Sequence, residues 1–119
     1  MVEFKELEGG ILCTRVRGLR DLETTHGYWE AIVDRVARKR PEGLLVVDEL
    51  VGEEMSASEW KHLVEKVAGR GLEGLPIAHV KPFALDQINY CEMYARESGL
   101  DARAFRDEDD ALRWLQGGG

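Results

Sequence analysis

The chain has 119 residues, 44% hydrophobic and 33% charged, with 16 Lys and Arg set against 23 Asp and Glu. That length holds one hydrophobic core and not two, and the composition is that of a folded domain rather than a disordered one. The net charge of −7 opposes nucleic acid and anionic membranes at long range. The basic cluster Arg35, Arg38, Lys39 and Arg40 does not alter this, because it falls in the last turn of a predicted helix, where cations complement the helix dipole. Cys13 and Cys91 lie far apart among apolar neighbours, as buried free thiols do in a reducing interior. Glu3, Lys5, Glu6, Glu8 and Arg15 interrupt the first 20 residues, so no signal-peptide core is expected there, and no stretch reaches membrane-spanning length. These features together predict a cytoplasmic protein without stable membrane insertion. Residues 1–116 read as a single domain and 117–119 as a flexible glycine tail.

Val2 to Leu7 alternates weakly, Glu8-Gly9-Gly10 supplies a turn, and Ile11 to Val16 is rich in strand formers, which predicts an antiparallel hairpin. Gly18 and Asp21 open an amphipathic helix whose buried face is Trp29, Ile32, Val33, Val36 and Ala37 and which Pro41 and Gly43 close. Gly27 weakens its first turns, so its start is expected as late as Thr25. Leu44-Leu45-Val46-Val47, ending at Asp48, is the continuous apolar run of a strand covered on both faces, and marks the centre of the sheet. Ser56 and Glu59 then have capping-box spacing, and Met55 and Trp60 stand at the two positions of a hydrophobic staple. A helix therefore starts at Ala57 and buries Trp60, Leu63, Val64, Val67 and Ala68.

Ile77 to Val80 forms the next strand, and Lys81-Pro82 ends it. The following helix, Phe83 to Ser98, carries Ala84, Ile88, Cys91 and Ala95 on one face and Asp86, Tyr90, Met93 and Glu97 on the other. Gly99 and Leu100 fit a glycine C-cap with its hydrophobic contact. Ala102 to Phe105 makes a last strand, and Asp107 caps a short helix holding Ala111, Leu112, Trp114 and Leu115. The element order predicts an α/β domain: a mixed sheet of about five strands, with an N-terminal hairpin and then alternating helices and strands, flanked by four helices.

This order, with the ending Phe105-Arg106-Asp107-Glu108-Asp109-Asp110-Ala111-Leu112-Arg113-Trp114-Leu115, resembles the STAS superfamily, and more closely its small stand-alone SpoIIAA-like members, some grouped with CRAL-TRIO lipid carriers. The resemblance spans nearly the whole chain in pattern and its last fifth in motif. It implies a non-catalytic regulatory or protein-interaction module. In the anti-sigma-factor antagonists of that superfamily a phosphorylatable serine directly follows the central strand; here the turn reads Asp48-Glu49-Leu50-Val51-Gly52 and has none, so the phospho-switch does not carry over. Ser58, at the start of the next helix, is the remaining candidate, because helix N-termini favour a phosphate, although Glu53, Glu54 and Glu59 oppose it.

Asp48 and His79 end adjacent parallel strands at the edge where open α/β sheets bind ligands, and are the best acid–base pair in the chain. The competing reading makes Asp48 the acceptor of a loop amide and His79 a core histidine, and the absence of a nucleophile motif beside them favours it. Asp48, Glu49, Glu53 and Glu54 match no ion-binding loop, so no metal is expected. A phosphate-receiver domain is excluded: the acidic pair after the first strand is missing, His79 to Pro82 offers no hydroxyl, and Arg106 stands where that domain needs lysine. Gly69, Gly71 and Gly74 follow a helix rather than a strand, so they make no phosphate-binding loop, and no cofactor is expected. His26 and His62 read as surface or boundary residues.

Tyr90 and Met93, extended by Phe83 and Tyr94, form the candidate binding surface, since an apolar stripe opposite the buried face often marks an interface; the competing reading, of equal weight, is a helix buried on two sides. The expected function is thus a non-enzymatic interaction module, homodimeric or bound to another protein. The alternative is a carrier or sensor of a small hydrophobic, lipid-like ligand held between the sheet and the Phe83 to Ser98 helix, and the third reading a small α/β enzyme using Asp48 and His79.

Overall fold

Two glycines turn the chain back on itself at its start. Gly9 and Gly10 have φ of 80° and 75°, and a Cβ on Gly10 would sit 2.8 Å from the Glu42 side chain; only glycine makes this turn without strain. The computed structural model describes residues 2–52, 56–81 and 90–117, the last of these without the side chains of 90–92. Among the described residues the strands are β1 (Val2–Leu7), β2 (Ile11–Leu19), β3 (Gly43–Val51), β4 (Ile77–Val80) and β5 (Ala102–Phe105). The helices are α1 (Leu22–Arg38), α2 (Ala57–Val67), α3 (Tyr90–Glu97) and α4 (Glu108–Gln116).

The strands lie side by side in chain order, β1-β2-β3-β4-β5, with β1 antiparallel to β2 and every later pair parallel. The mixed five-stranded sheet with four helices agrees with the α/β architecture expected from the element order, and β3 is central, as its unbroken apolar run requires. Sheet order explains the layering. Three successive crossovers that step in one direction, each obeying the right-handed rule, set their helices on one face. That face holds the larger core, where Tyr28, Trp29 and Ile32 of α1, Trp60, Leu63 and Val67 of α2 and Ala95 of α3 meet Leu12, Val46, Leu50 and Ile77 of the sheet. Among the described residues α4 alone covers the second face, where Ala111 and Leu115 pack on Ile11, Leu45, Val47, Ala78 and Val80.

The helix caps follow the sequence. Asp21 accepts from the Thr24 amide at 2.7 Å and starts α1 before Gly27, so the helix begins at Leu22 and not as late as Thr25. Its N-cap bond offsets the weak residue within it. Ser56 and Glu59 form the reciprocal capping box of α2, at 3.1 and 3.0 Å. Met55, the other half of the expected staple, lies outside the described residues. Gly99, at φ 88°, ends α3, and the Leu100 amide reaches back to the Ala95 carbonyl at 2.9 Å while its side chain is buried. Three expectations need correction. Ala37 is exposed, because the buried stripe of α1 ends at Val36; β2 runs three residues past Val16 to Leu19; and β3 does not end at Asp48 but pairs with that longer β2 as far as Val51, so Asp48 to Val51, expected as a turn, are strand.

The basic residues at the end of α1 have local partners. The Arg35 guanidinium lies 5.2 Å from the centre of the Phe4 ring, Arg38 pairs with Asp34 at 3.0 Å and Lys39 with Glu6 at 3.4 Å, and Arg40 donates to the carbonyls of Gly71 and Glu73. No helix among the described residues is long and apolar enough to cross a membrane.

Candidate functional site

Parallel pairing brings the C-terminal ends of β2, β3 and β4 to one edge, and the polar core of the protein is there. Val46 is in register with His79, and Asp48, two residues on, points to the same face. The His79 Nε2 lies 3.2 Å from Asp48 Oδ2. An ionised carboxylate only accepts, so that nitrogen carries the hydrogen. Tyr28 of α1 donates to the same oxygen at 3.3 Å, and Asp48 Oδ1 accepts from the Leu50 amide at 3.1 Å. The Arg20 side chain, buried after the end of β2, donates through Nη2 to the Leu50 carbonyl at 2.7 Å and brings Nη1 to 4.0 Å from Asp48.

Aromatic rings close this network. The imidazole of His79 meets Trp29 and Trp60 edge-on, at centroid distances of 6.0 and 6.4 Å. Lys81, on the same alternation as Ile77 and His79, is 1% exposed, with its ammonium 5.1 Å from the centre of the Trp60 ring. An indole face attracts such a cation strongly when both are desolvated. Burial pushes the Asp48 carboxyl up, but the hydrogen bond and charge of His79, the charge of Arg20 and the Leu50 amide together outweigh it and hold the group below the usual carboxylate range.

Chemically the arrangement is a closed one. Both oxygens of Asp48 accept from protein donors and its side chain is 1% exposed. Beside His79 lies an apolar cavity of about 20 Å³ bordered by Trp29, Trp60, Leu63, Ile77, His79 and Ala95, room for about one water. Thr14, in the register row Thr14, Val46, His79, is two strands from the imidazole, about 9.5 Å, too far to be its nucleophile.

The structure joins Asp48 with His79, as their strand positions require, and also makes Asp48 the acceptor of a main-chain amide, though that amide is Leu50's within β3 and not one of a loop. It does not bring Ser58 to them: Ser58 is exposed on the first turn of α2, and no hydrogen bond among the described residues joins it to either. Of the α3 surface, Met93 is 42% exposed, while Tyr94 is half-buried against the larger core and is not fully part of an outward stripe. Phe83 and the side chain of Tyr90 lie outside the described residues, as do Glu53 and Glu54. Among the described residues no three His, Cys, Asp or Glu side chains gather as metal ligands. Burial pushes the Cys13 thiol, on the opposite face, up from its ordinary value, which favours the protonated form.

Sequence reasoning missed Arg20, Tyr28, Trp29 and Lys81 as members of this cluster. A signal existed for Lys81, because alternation from Ile77 through His79 places it on the helix-covered face. Arg20 was harder to see, since a long basic side chain between a strand and a helix cap ordinarily reaches solvent.

No family model matches the chain, and no curated protein matches it. Among solved structures its fold is similar to the NMR structure of the protein TM1081, at 14% identity and a TM-score of 0.53, over 98% of this chain and 89% of that one. At that identity the likeness extends to the fold alone.

Proposed function

We propose that the protein is a non-catalytic, STAS-like cytoplasmic module that works by binding another protein, or a second copy of itself, through the surface around Met93 on α3. The observation that carries this reading is the engagement of Asp48. The carboxylate best placed for catalysis is enclosed by Tyr28, His79, Arg20 and the Leu50 amide, with room for about one water beside it. Such a network organises a core and presents nothing to a substrate, which leaves the surface to act. Met93 is one of four exposed large hydrophobic residues among those described, and methionine adapts well to binding surfaces.

A second reading, a carrier of a small apolar ligand, is favoured by the apolar lining of the cavity between α2, α3 and the sheet, which would have to widen to take anything larger than a water. Trp29 and Trp60 border it, so a ligand there would be apolar. Native mass spectrometry of protein purified from its own cells separates the two. A complex that Met93→Glu dissociates is expected from the module, and a co-purifying small mass from the carrier. A complex indifferent to Met93→Glu would remove α3 from the binding surface.

A further inference from the structure

We propose that β1 is a self-recognition edge, through which two copies of the chain pair antiparallel and join their sheets across a two-fold axis at Phe4. The inference does not depend on what covers Met93. β1 is the first strand of the sheet order and pairs only with β2 among the described residues, so half of its backbone N–H and C=O groups point outward. Of the usual means of blunting an edge, the strand has short length and the charges of Glu3, Lys5 and Glu6, and these charges are of both signs. The strand is six residues long, contains no proline, and pairs without a bulge from Val2 opposite Val16 to Leu7 opposite Ile11. Val2 at its start is among the exposed large hydrophobics, and Phe4 is only half-buried.

Charge selects the partner and the register. Glu3 and Lys5 are exposed, project to the same face, and have no ion-pair partner among the described residues. Glu3 stands opposite Arg15 in the β1–β2 register, but Arg15 is already bound by Glu49 at 3.2 Å and Glu108 at 2.8 Å. In a two-fold antiparallel pair, residues facing each other must have the same hydrogen-bonding orientation, so registers move in steps of two residues. With Phe4 opposite Phe4 of the second copy, Glu3 faces Lys5 of that copy and Lys5 faces its Glu3, which makes two cross-strand ion pairs on one face and an aromatic pair on the other. One step to either side puts Lys5 against Lys5 or Glu3 against Glu3. The edge is therefore complementary to itself in one register. It fits a second copy better than an arbitrary extended peptide, which would have to supply the same alternation of charge.

A six-residue edge buries little area, so the dimer belongs to the weak, concentration-dependent class. Sedimentation equilibrium from micromolar to millimolar concentration tests it. The wild-type chain is expected to dimerise, and Lys5→Glu and Glu3→Lys, each creating two like-charge pairs, to weaken the dimer at least about tenfold. The double charge reversal restores both ion pairs and is expected to restore dimerisation. A wild-type chain monomeric at millimolar concentration overturns the proposal, as does a dimer that Lys5→Glu leaves intact. If Met93→Glu breaks the dimer and Lys5→Glu does not, self-association belongs to α3 and the β1 edge is refuted. If only Lys5→Glu breaks it, the edge stands whether or not α3 binds a partner.

Discussion

Asp48 and Glu49 are neighbours in β3, point to opposite faces of the sheet, and are both met by arginine, yet they occupy different physical worlds. Asp48 is 1% exposed under three helices, with Tyr28, His79 and the Leu50 amide within hydrogen-bond reach and Arg20 at 4.0 Å. Glu49 is 22% exposed on the face that α4 covers, paired with Arg15 at 3.2 Å and Arg17 at 3.0 Å. The difference begins in topology: same-handed crossovers set α1, α2 and α3 on one side, and the other side stays partly wet. Burial, rather than the number of partners, decides what each carboxylate is worth. In the dry face a lost charge leaves its partners stranded, whereas at the wet face water replaces it.

The largest effect is expected from removing the buried member. Asp48→Ala leaves Arg20 and His79 without their carboxylate inside the core and should destabilise the fold by about 3–5 kcal/mol, read from the urea midpoint. A loss under about 1 kcal/mol would erase the contrast between the faces. Tryptophan gives a parallel comparison. Trp60→Ala, on the dry face at 1% exposure, should cost about 3–5 kcal/mol, and Trp114→Ala, half-buried against Phe105 on the other, clearly less. Equal costs would mean that α4 seals its face as tightly as the three crossover helices seal theirs.

The pH dependence sharpens the same point. Because Asp48 is held below the usual carboxylate range when folded, the unfolded chain binds its proton more tightly, and stability rises with pH through this group. Its contribution is complete above the unfolded value, about 3.9, and is lost as pH falls through the folded one. Asp48→Asn should therefore separate from wild type at pH 7 and converge on it in acid. Urea midpoints that stay a constant distance apart from pH 7 down to pH 3 would show that the carboxylate is not what the network stabilises.

Much of this frame was legible in the sequence because it rests on local signals. The four-residue run ending at Val47, the Ser56–Glu59 spacing, Gly99 before Leu100, and Asp107 before an acidic first turn each report backbone geometry within a few residues, and each is found in place. Asp48 and His79 were legible as a pair for the same reason, since each belongs to a recognisable apolar run, although β3 itself continues past Asp48 to Val51. What escaped was contact made across elements. Tyr28 reaches Asp48 from α1, and Arg20 folds inward after β2, and neither is marked by periodicity or by a motif. Ala37 was misjudged because a helical stripe says which residues align, and only packing says where the covering element stops. The capping box offers a modest check on the local signals: Ser56→Ala should cost about 1 kcal/mol, and no loss would mean that packing of Trp60 alone fixes the start of α2.

The smallest effect is expected at Glu49, and it completes the contrast. Burial raises its carboxyl, and the hydrogen bonds and charges of Arg17 and Arg15 outweigh that and lower it, the same balance that acts on Asp48. The environment nevertheless differs, because Arg17 is mostly exposed and Arg15 has Glu108 as a second acceptor at 2.8 Å. When Glu49 loses its charge, Arg15 keeps a partner and Arg17 keeps its water. Glu49→Gln should therefore cost under about 1 kcal/mol in dilute buffer. High salt should reduce even that, since a screening length of about 3 Å at 1 M leaves little of an exposed attraction, while the cost of Asp48→Ala should hardly move. If salt erased both costs together, Asp48 would have to be in contact with solvent, and the closed network at the end of β3 would not exist in solution.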